Sequence, residues 1–273
     1  MAKIENEKNI LIEGLQGSGK STLLRKLHQT LNGYHVYWEG DVSPIELAWC
    51  SYMTKDEYEE ALEKYGNLSE EIMNRSKEED GYRVVPYTQI LTDNREFYQH
   101  MEQYEIYNSR VSLEEFRNII FRRYKNYKDT KGIFECAIFQ NIIEDLMLYY
   151  LLSEDEIIEF YKELIANIDL SNYCIFYIQS KDIKGDIERI RKERVDESGR
   201  ELWYPLMMEY LKQSPYGQNH EFNSEDDIVA HFQQRVKIEQ RILNELMSGH
   251  FITISSKEYE LDELLQEYAL MCN

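Results

Sequence analysis

The run Gly14-Leu15-Gln16-Gly17-Ser18-Gly19-Lys20-Ser21 follows directly on the apolar stretch Asn9-Ile10-Leu11-Ile12-Glu13. It leads into a segment with Leu23, Leu24, Leu27 and Leu31 at helical spacing, closed by Asn32-Gly33. A buried strand, a glycine-rich loop and an amphipathic helix in that order leave few choices of fold. Gly14, Gly19, Lys20 and Ser21 complete the pattern G-x-x-x-x-G-K-[ST]. Each residue type has a chemical reason. Gly14, Gly17 and Gly19 let the backbone wrap so that N–H groups point inward at a phosphate, helped by Gln16 and Ser18. The helix opening at Lys20 turns its positive end to the same anion. Lys20 is expected to neutralise the β- and γ-phosphates of a nucleoside triphosphate, most simply ATP. Ser21 is expected to ligate Mg2+, and Thr22 to donate to the α-phosphate.

Further apolar runs at His35–Trp38, Gly132–Glu135, Tyr173–Ile178 and His250–Ile254 read as strands separated by helices. Alternation of this kind implies an α/β fold with a five-stranded parallel sheet, helices on both faces and helical insertions. Capping signals at Ser43-Pro44-Ile45-Glu46, Thr54–Glu57 and Ser112–Glu115 make 43–130 mostly helical, with an extended interruption over Tyr82–Ile90. A fourth capping box, Ser153–Glu156, opens a helix to about Ile168. Residues 181–200 form a charged, arginine-rich segment, and 200–248 a largely helical insertion. Its second helix starts near Ser224 and carries Val229, Phe232, Val236, Leu243 and Leu246 as an apolar stripe, a candidate homodimer interface.

Ligands of such sheets sit outside the carboxyl ends of the strands. Glu135 ends the third strand, where a carboxylate either holds Mg2+ or faces solvent. Glu39 and Asp41 follow the second strand; either accepts the proton of an attacking hydroxyl, or both belong to an acidic loop. Arg191 and Arg194 lie three apart on one helical face, placed either to stabilise a transferring phosphoryl group or to pair with neighbouring acids. Aromatic stripes such as Phe97, Met101, Tyr104 and Phe116, Ile119, Ile120 read as core, with one or two rings available to cover a substrate.

With 51 acidic and 31 basic residues the formal net charge is −20, which repels nucleic-acid polymers and anionic membranes. The four cysteines (Cys50, Cys136, Cys174 and Cys272) form no CxxC pair, and the six histidines lack zinc-binding spacing. Buried thiols in a reducing compartment are the expectation. The charged start and the lack of an apolar run of about 18 residues point to a cytoplasmic protein. No Asn-Lys-x-Asp motif of a GTPase occurs, since Asn126-Tyr127-Lys128-Asp129 is out of order, and no Leu-Ser-Gly-Gly signature of a transporter ATPase.

In the order of its motifs the chain resembles the deoxynucleoside kinase and thymidylate kinase group of P-loop kinases. Ile12-Glu13-Gly14 into the loop is similar to that group. So is Trp38-Glu39-Gly40-Asp41 with Trp49 downstream, where the group's Glu serves as base. Glu135 matches the Glu of the group's Glu-Arg-Ser motif, and Glu188–Glu197 its arginine lid. Cys136 stands where that group has Arg, and Gly40 where it has Pro. The resemblance implies one P-loop kinase-like domain over 1–273. It also implies an ATP- and Mg2+-dependent kinase acting on a small-molecule phosphoryl acceptor, a nucleoside or nucleotide. A P-loop NTPase switch without such an acceptor is the alternative.

Overall fold

The apolar runs expected as strands do pair into one sheet. The computed structural model describes residues 6–256 and 258–273. In chain order the elements begin with β1 (Asn9–Gly14), α1 (Lys20–Thr30) and β2 (His35–Tyr37). There follow β3 (Ser51–Thr54), α2 (Lys55–Lys64), α3 (Ser69–Arg75), β4 (Lys77–Glu79), β5 (Tyr82–Val85), α4 (Arg95–Glu102) and α5 (Leu113–Asn126). The chain continues with β6 (Gly132–Glu135), α6 (Gln140–Leu148), α7 (Glu154–Ala166), β7 (Tyr173–Gln179) and α8 (Ile183–Glu193). It closes with α9 (Trp203–Gln213), α10 (Pro215–Asn219), α11 (Glu225–Leu246), β8 (Phe251–Ser255) and α12 (Leu261–Cys272).

Two compact units result, one of residues 1–36 with 128–273 and one of 37–127. The first is built on a five-stranded, all-parallel sheet flanked by helices, in the order β2-β6-β1-β7-β8. β1 lies at its centre, with Ile12 opposite Glu135 on one side and Gly14 opposite Ile178 on the other. Every residue of β1 is buried, as a central parallel strand covered on both faces requires. From β1 the chain moves to one side of the sheet to form β2; from β6 it crosses to the other side to form β7. With right-handed crossovers these two connections leave on opposite faces, which makes the carboxyl ends of β1 and β6 the topological switch point of the sheet. Among the described residues no helix is long and apolar enough to cross a membrane.

The second unit is not simply helical. β3, β5 and β4 form an antiparallel sheet in that order. Asp80 and Gly81 both take positive φ (50° and 86°) between β4 and β5, the geometry that lets a two-residue turn follow the strand twist. That Asp-Gly pair is the hairpin signal within the stretch expected to be helical. The helix expected to open at Ser43-Pro44 does not form, and 43–50 is irregular. Ser43 Oγ does accept from the Ile45 and Glu46 N–H groups, both at 3.3 Å. Glu46, however, is buried and accepts from Ala48 N–H and the Tyr107 hydroxyl, which pulls the backbone out of helical register. The capping boxes at Thr54–Glu57 and Ser153–Glu156 form as expected. Phe97 and Met101 sit in the apolar cluster of this unit with Met53, Tyr58 and Tyr65, and Tyr104 packs against it.

Gly81 has no atom within 4 Å of where a Cβ would lie, so a side chain there meets only the penalty of its positive φ. Gly81→Ala is expected to destabilise the β4–β5 hairpin by about 1 kcal/mol, read as a lower urea midpoint. Replacement by Asn, which tolerates this backbone region, should recover most of the loss.

Candidate functional site

At the end of β1 the chain leaves the sheet through three glycines of positive φ: Gly14 at 142°, Gly17 at 73° and Gly19 at 106°. Two have no room for a side chain. A Cβ on Gly14 would lie 2.5 Å from the Ile178 carbonyl oxygen of β7, and one on Gly17 would lie 2.2 Å from Cγ1 of Ile190 on α8. The arginine-rich helix therefore packs directly on the glycine loop. Ser256 Oγ donates to the Ser18 carbonyl at 3.1 Å and holds the loop's other flank.

Gly19 is the N-cap of α1, and no side chain caps that helix. The first-turn N–H groups of Lys20 and Ser21 have no intrahelical acceptor, so they are left for one from outside. Thr22 N–H turns back to Gly19 O at 3.1 Å. Ser18 Oγ is buried and has no hydrogen-bond partner among the described residues. Lys20 is buried too. Its ammonium donates to Gly14 O and Leu15 O, each at 2.9 Å, and to Gln140 Oε1 at 3.0 Å. A helix start without a cap, an ammonium group and an unpaired hydroxyl together make a cradle for an anion.

Ser21 and Glu135, both expected at a metal, are brought together from the first turn of α1 and the end of β6. The Ser21 hydroxyl donates to Glu135 Oε1 at 2.5 Å. No group of three or more His, Cys, Asp or Glu side chains able to hold a metal occurs among the described residues. A hydroxyl with one carboxylate is a donor set for Mg2+ that takes its remaining ligands from phosphate and water.

Arg191 and Arg194 sit at the carboxyl end of α8 and just beyond it. Arg191 is not turned to the loop. Its Nε donates to both Glu201 oxygens at 3.1 Å, its Nη1 pairs with Glu225, and its guanidinium stacks 4.2 Å from the Tyr204 ring centroid. Arg194 is exposed. Glu39 and Asp41 belong to the second unit. Asp41 has both carboxylate oxygens engaged: Oδ2 accepts from Trp38 N–H of its own turn at 2.8 Å, and Oδ1 from the distant Gln89 Nε2 at 2.7 Å. Glu39 Oε1 faces the Trp49 indole N–H at 3.4 Å.

Sequence patterns alone miss a network of charges buried behind the loop. Arg235, on α11, is fully buried. Its Nε donates to Glu239 Oε1 at 2.9 Å and its Nη1 to Glu144 Oε1 at 2.5 Å and Gln16 Oε1 at 3.0 Å. Its Nη2 reaches Gly14 O at 3.2 Å. His231 Nε2 lies 2.6 Å from Glu144 Oε2, and the Tyr177 hydroxyl donates to Glu239 Oε2 at 2.7 Å. The spacing His231, Arg235, Glu239 places all three on one helical row, a signal that a search for apolar stripes passes over. The apolar stripe expected on this helix is accordingly rotated: Val229, Val236 and Leu246 are only half-buried, while the polar row faces inward.

Two buried glutamates in this region go opposite ways. For Glu144 burial would raise the carboxyl, but the charges and hydrogen bonds of His231 and Arg235 outweigh it and hold the pKa at about 2. Glu13, the last residue before the loop, is hydrogen-bonded to no cation, and burial prevails over the charge of Lys20. Burial pushes it up to about 7, against the pull of the Ile138 and Gln140 N–H groups it accepts from, with the charge of Glu239 adding to the rise. The Gln140 N–H is the first of α6 and Ile138 lies just before its N-cap Phe139, which offers no side-chain acceptor, so Glu13 takes the place of a cap for that helix. The chain matches no protein-family model and no curated protein.

Glu13 binds its proton more tightly folded than unfolded. The stability this contributes is full below the unfolded value of about 4.5 and is lost as pH rises through about 7. Urea denaturation from pH 4.5 to 8 should therefore show Glu13→Gln losing less stability than the parent chain over that interval. The difference is expected to be on the order of 1–3 kcal/mol. Glu46 and Glu105 of the second unit, raised by burial to about 7 as well, should leave a residual slope common to both proteins.

Proposed function

We propose that the chain has a P-loop NTPase fold. On this reading it binds a magnesium nucleoside triphosphate, ATP, at the 14–21 loop and transfers the terminal phosphoryl group to a small acceptor. The observation that carries the reading is the uncapped start of α1 beside the Lys20 ammonium and the unpaired, buried Ser18 hydroxyl. A chain with no use for an anion there leaves the buried Ser18 hydroxyl unpaired, at about 1–3 kcal/mol. The strand order, with the loop at a topological switch point, supports the same fold.

The residues present fit the ligand. Gly14 and Gly17 have no room for a Cβ, which would meet the Ile178 carbonyl oxygen and the Ile190 side chain, so the path of the loop depends on glycine at both positions. Ser21 and Glu135 would hold Mg2+, which on binding neutralises phosphate charge and polarises the bond to be broken. Lys20 would leave the carbonyls it now contacts for the β- and γ-phosphates. The acceptor oxygen forms a bond to the terminal phosphorus while the bond from that phosphorus to the bridging oxygen breaks. The acceptor's proton passes to a carboxylate. Asp41 has both carboxylate oxygens in hydrogen bonds already, from Trp38 N–H and Gln89 Nε2. Arg191 and Arg194 would steady the transferring group only after Arg191 is released from Glu201 and Glu225. The resemblance to deoxynucleoside and thymidylate kinases makes a nucleoside or nucleotide the acceptor proposed.

Calorimetric titration with Mg2+ and a non-hydrolysable ATP analogue should show saturable binding. Lys20→Ala should weaken it at least a hundredfold, about 3 kcal/mol, while keeping the parent circular dichroism spectrum. Incubation with Mg-ATP and a panel of nucleosides and nucleotides should yield a phosphorylated acceptor. Release of free phosphate alone, stimulated by a partner protein, would favour the switch reading instead, and absence of binding would overturn both.

A further inference from the structure

The guanidinium of Arg235 touches the loop at two places, Gly14 O and the Gln16 side chain, and comes from a helix more than 200 residues away in sequence. Stability alone gives no reason for a charge here, since well-packed apolar groups commonly replace a buried ion pair at no loss. Net charge gives none either. Arg235 is itself paired with the carboxylates of Glu144 and Glu239, so it adds little positive potential to the loop. What remains is direction. A planar guanidinium held by Glu239 and Glu144 on one side presents its other N–H groups at fixed angles.

The carbonyl of Gly14 shows where that direction matters. It accepts from both Lys20 Nζ, at 2.9 Å, and Arg235 Nη2, at 3.2 Å. The first donor is the one that an arriving phosphate must take away. Without Arg235, moving Lys20 onto an anion would strand a buried carbonyl and oppose binding.

We propose that Arg235 is a positioning residue of the loop, holding the Gly14 carbonyl and the Gln16 side chain in place while Lys20 moves from the backbone to the bound anion. The proposal rests on the phosphate-binding reading above. It nevertheless has a readout of its own, because loop order in the ligand-free protein does not depend on any ligand.

The test uses the full chain and the variants Arg235→Lys, Gln16→Ala and their double combination. Amide hydrogen exchange of the ligand-free proteins is measured over 14–20, with α12 as internal reference. Affinity is measured calorimetrically for magnesium tripolyphosphate and for the Mg2+ complex of an ATP analogue. Arg235→Lys should exchange the loop amides about tenfold faster with α12 unchanged, and should bind both ligands about tenfold more weakly. Gln16→Ala should show a smaller effect of the same kind. The double variant should lose no more than Arg235→Lys alone, because both changes break one contact. Loop protection equal to that of the parent chain in Arg235→Lys overturns the proposal, as does full additivity in the double variant. Where Arg235→Lys fails to fold, unchanged loop protection in Gln16→Ala overturns it equally. Failure of the parent chain to bind either ligand sinks the phosphate-binding reading, while the exchange data still decide whether Arg235 orders the loop.

Discussion

The pairing of β1 with β7 right through to Gly14 and Ile178 is the constraint from which the rest of the site follows. Because the two strands stay paired to the last residue, the loop starts inside the sheet. No side chain fits at its first position, and the carbonyl there needs a donor in the dry interior. Lys20 and Arg235 supply it from two sides. The same depth explains Glu13. One residue earlier and fully buried, it is far from water, and its carboxyl keeps a proton that an exposed glutamate gives up.

The interior behind the loop is thus a place where charge is arranged rather than avoided. Glu144 and Glu239 meet Arg235 directly, and the histidine and tyrosine that flank them supply most of the remaining hydrogen bonds. Such a network specifies geometry because each member has few alternatives once water is excluded. It also ties together α6, β7, α11 and the loop, elements far apart in the chain. The loop is braced separately by Ile190 of α8 against Gly17 and by Ser256 against Ser18. Its shape is therefore fixed by contacts within the protein itself.

Much of this first unit was legible. The glycine spacing, the leucines of α1 and the apolar runs of the five strands are local patterns, and local patterns survive in sequence. The meeting of Ser21 with Glu135 was legible in part, since both follow from strand ends on one edge of a parallel sheet. Arg235 was not, because nothing local distinguishes a buried arginine from one on a solvated helix face. Its role is set by residues at positions 14, 16, 144 and 239 that only the tertiary fold assembles. In the second unit the Ser43 capping pattern was overridden by burial of Glu46, a tertiary effect, whereas the Asp80-Gly81 turn was a local signal that helical patterning obscured.

The first unit is interrupted: its opening strand and helix are separated from the rest by residues 37–127. β1 is the central strand of the sheet, yet its neighbours β6 and β7 begin at residues 132 and 173. During synthesis the glycine loop therefore leaves the ribosome on a strand with nothing to pair to, and the whole intervening unit emerges before its first partner. Closing the sheet brings together segments more than a hundred residues apart, a slow step in a topology of this kind. Until then an apolar strand made of Ile10, Leu11 and Ile12 stays open, and a chaperone that shields it would act on the very segment from which the site is later built.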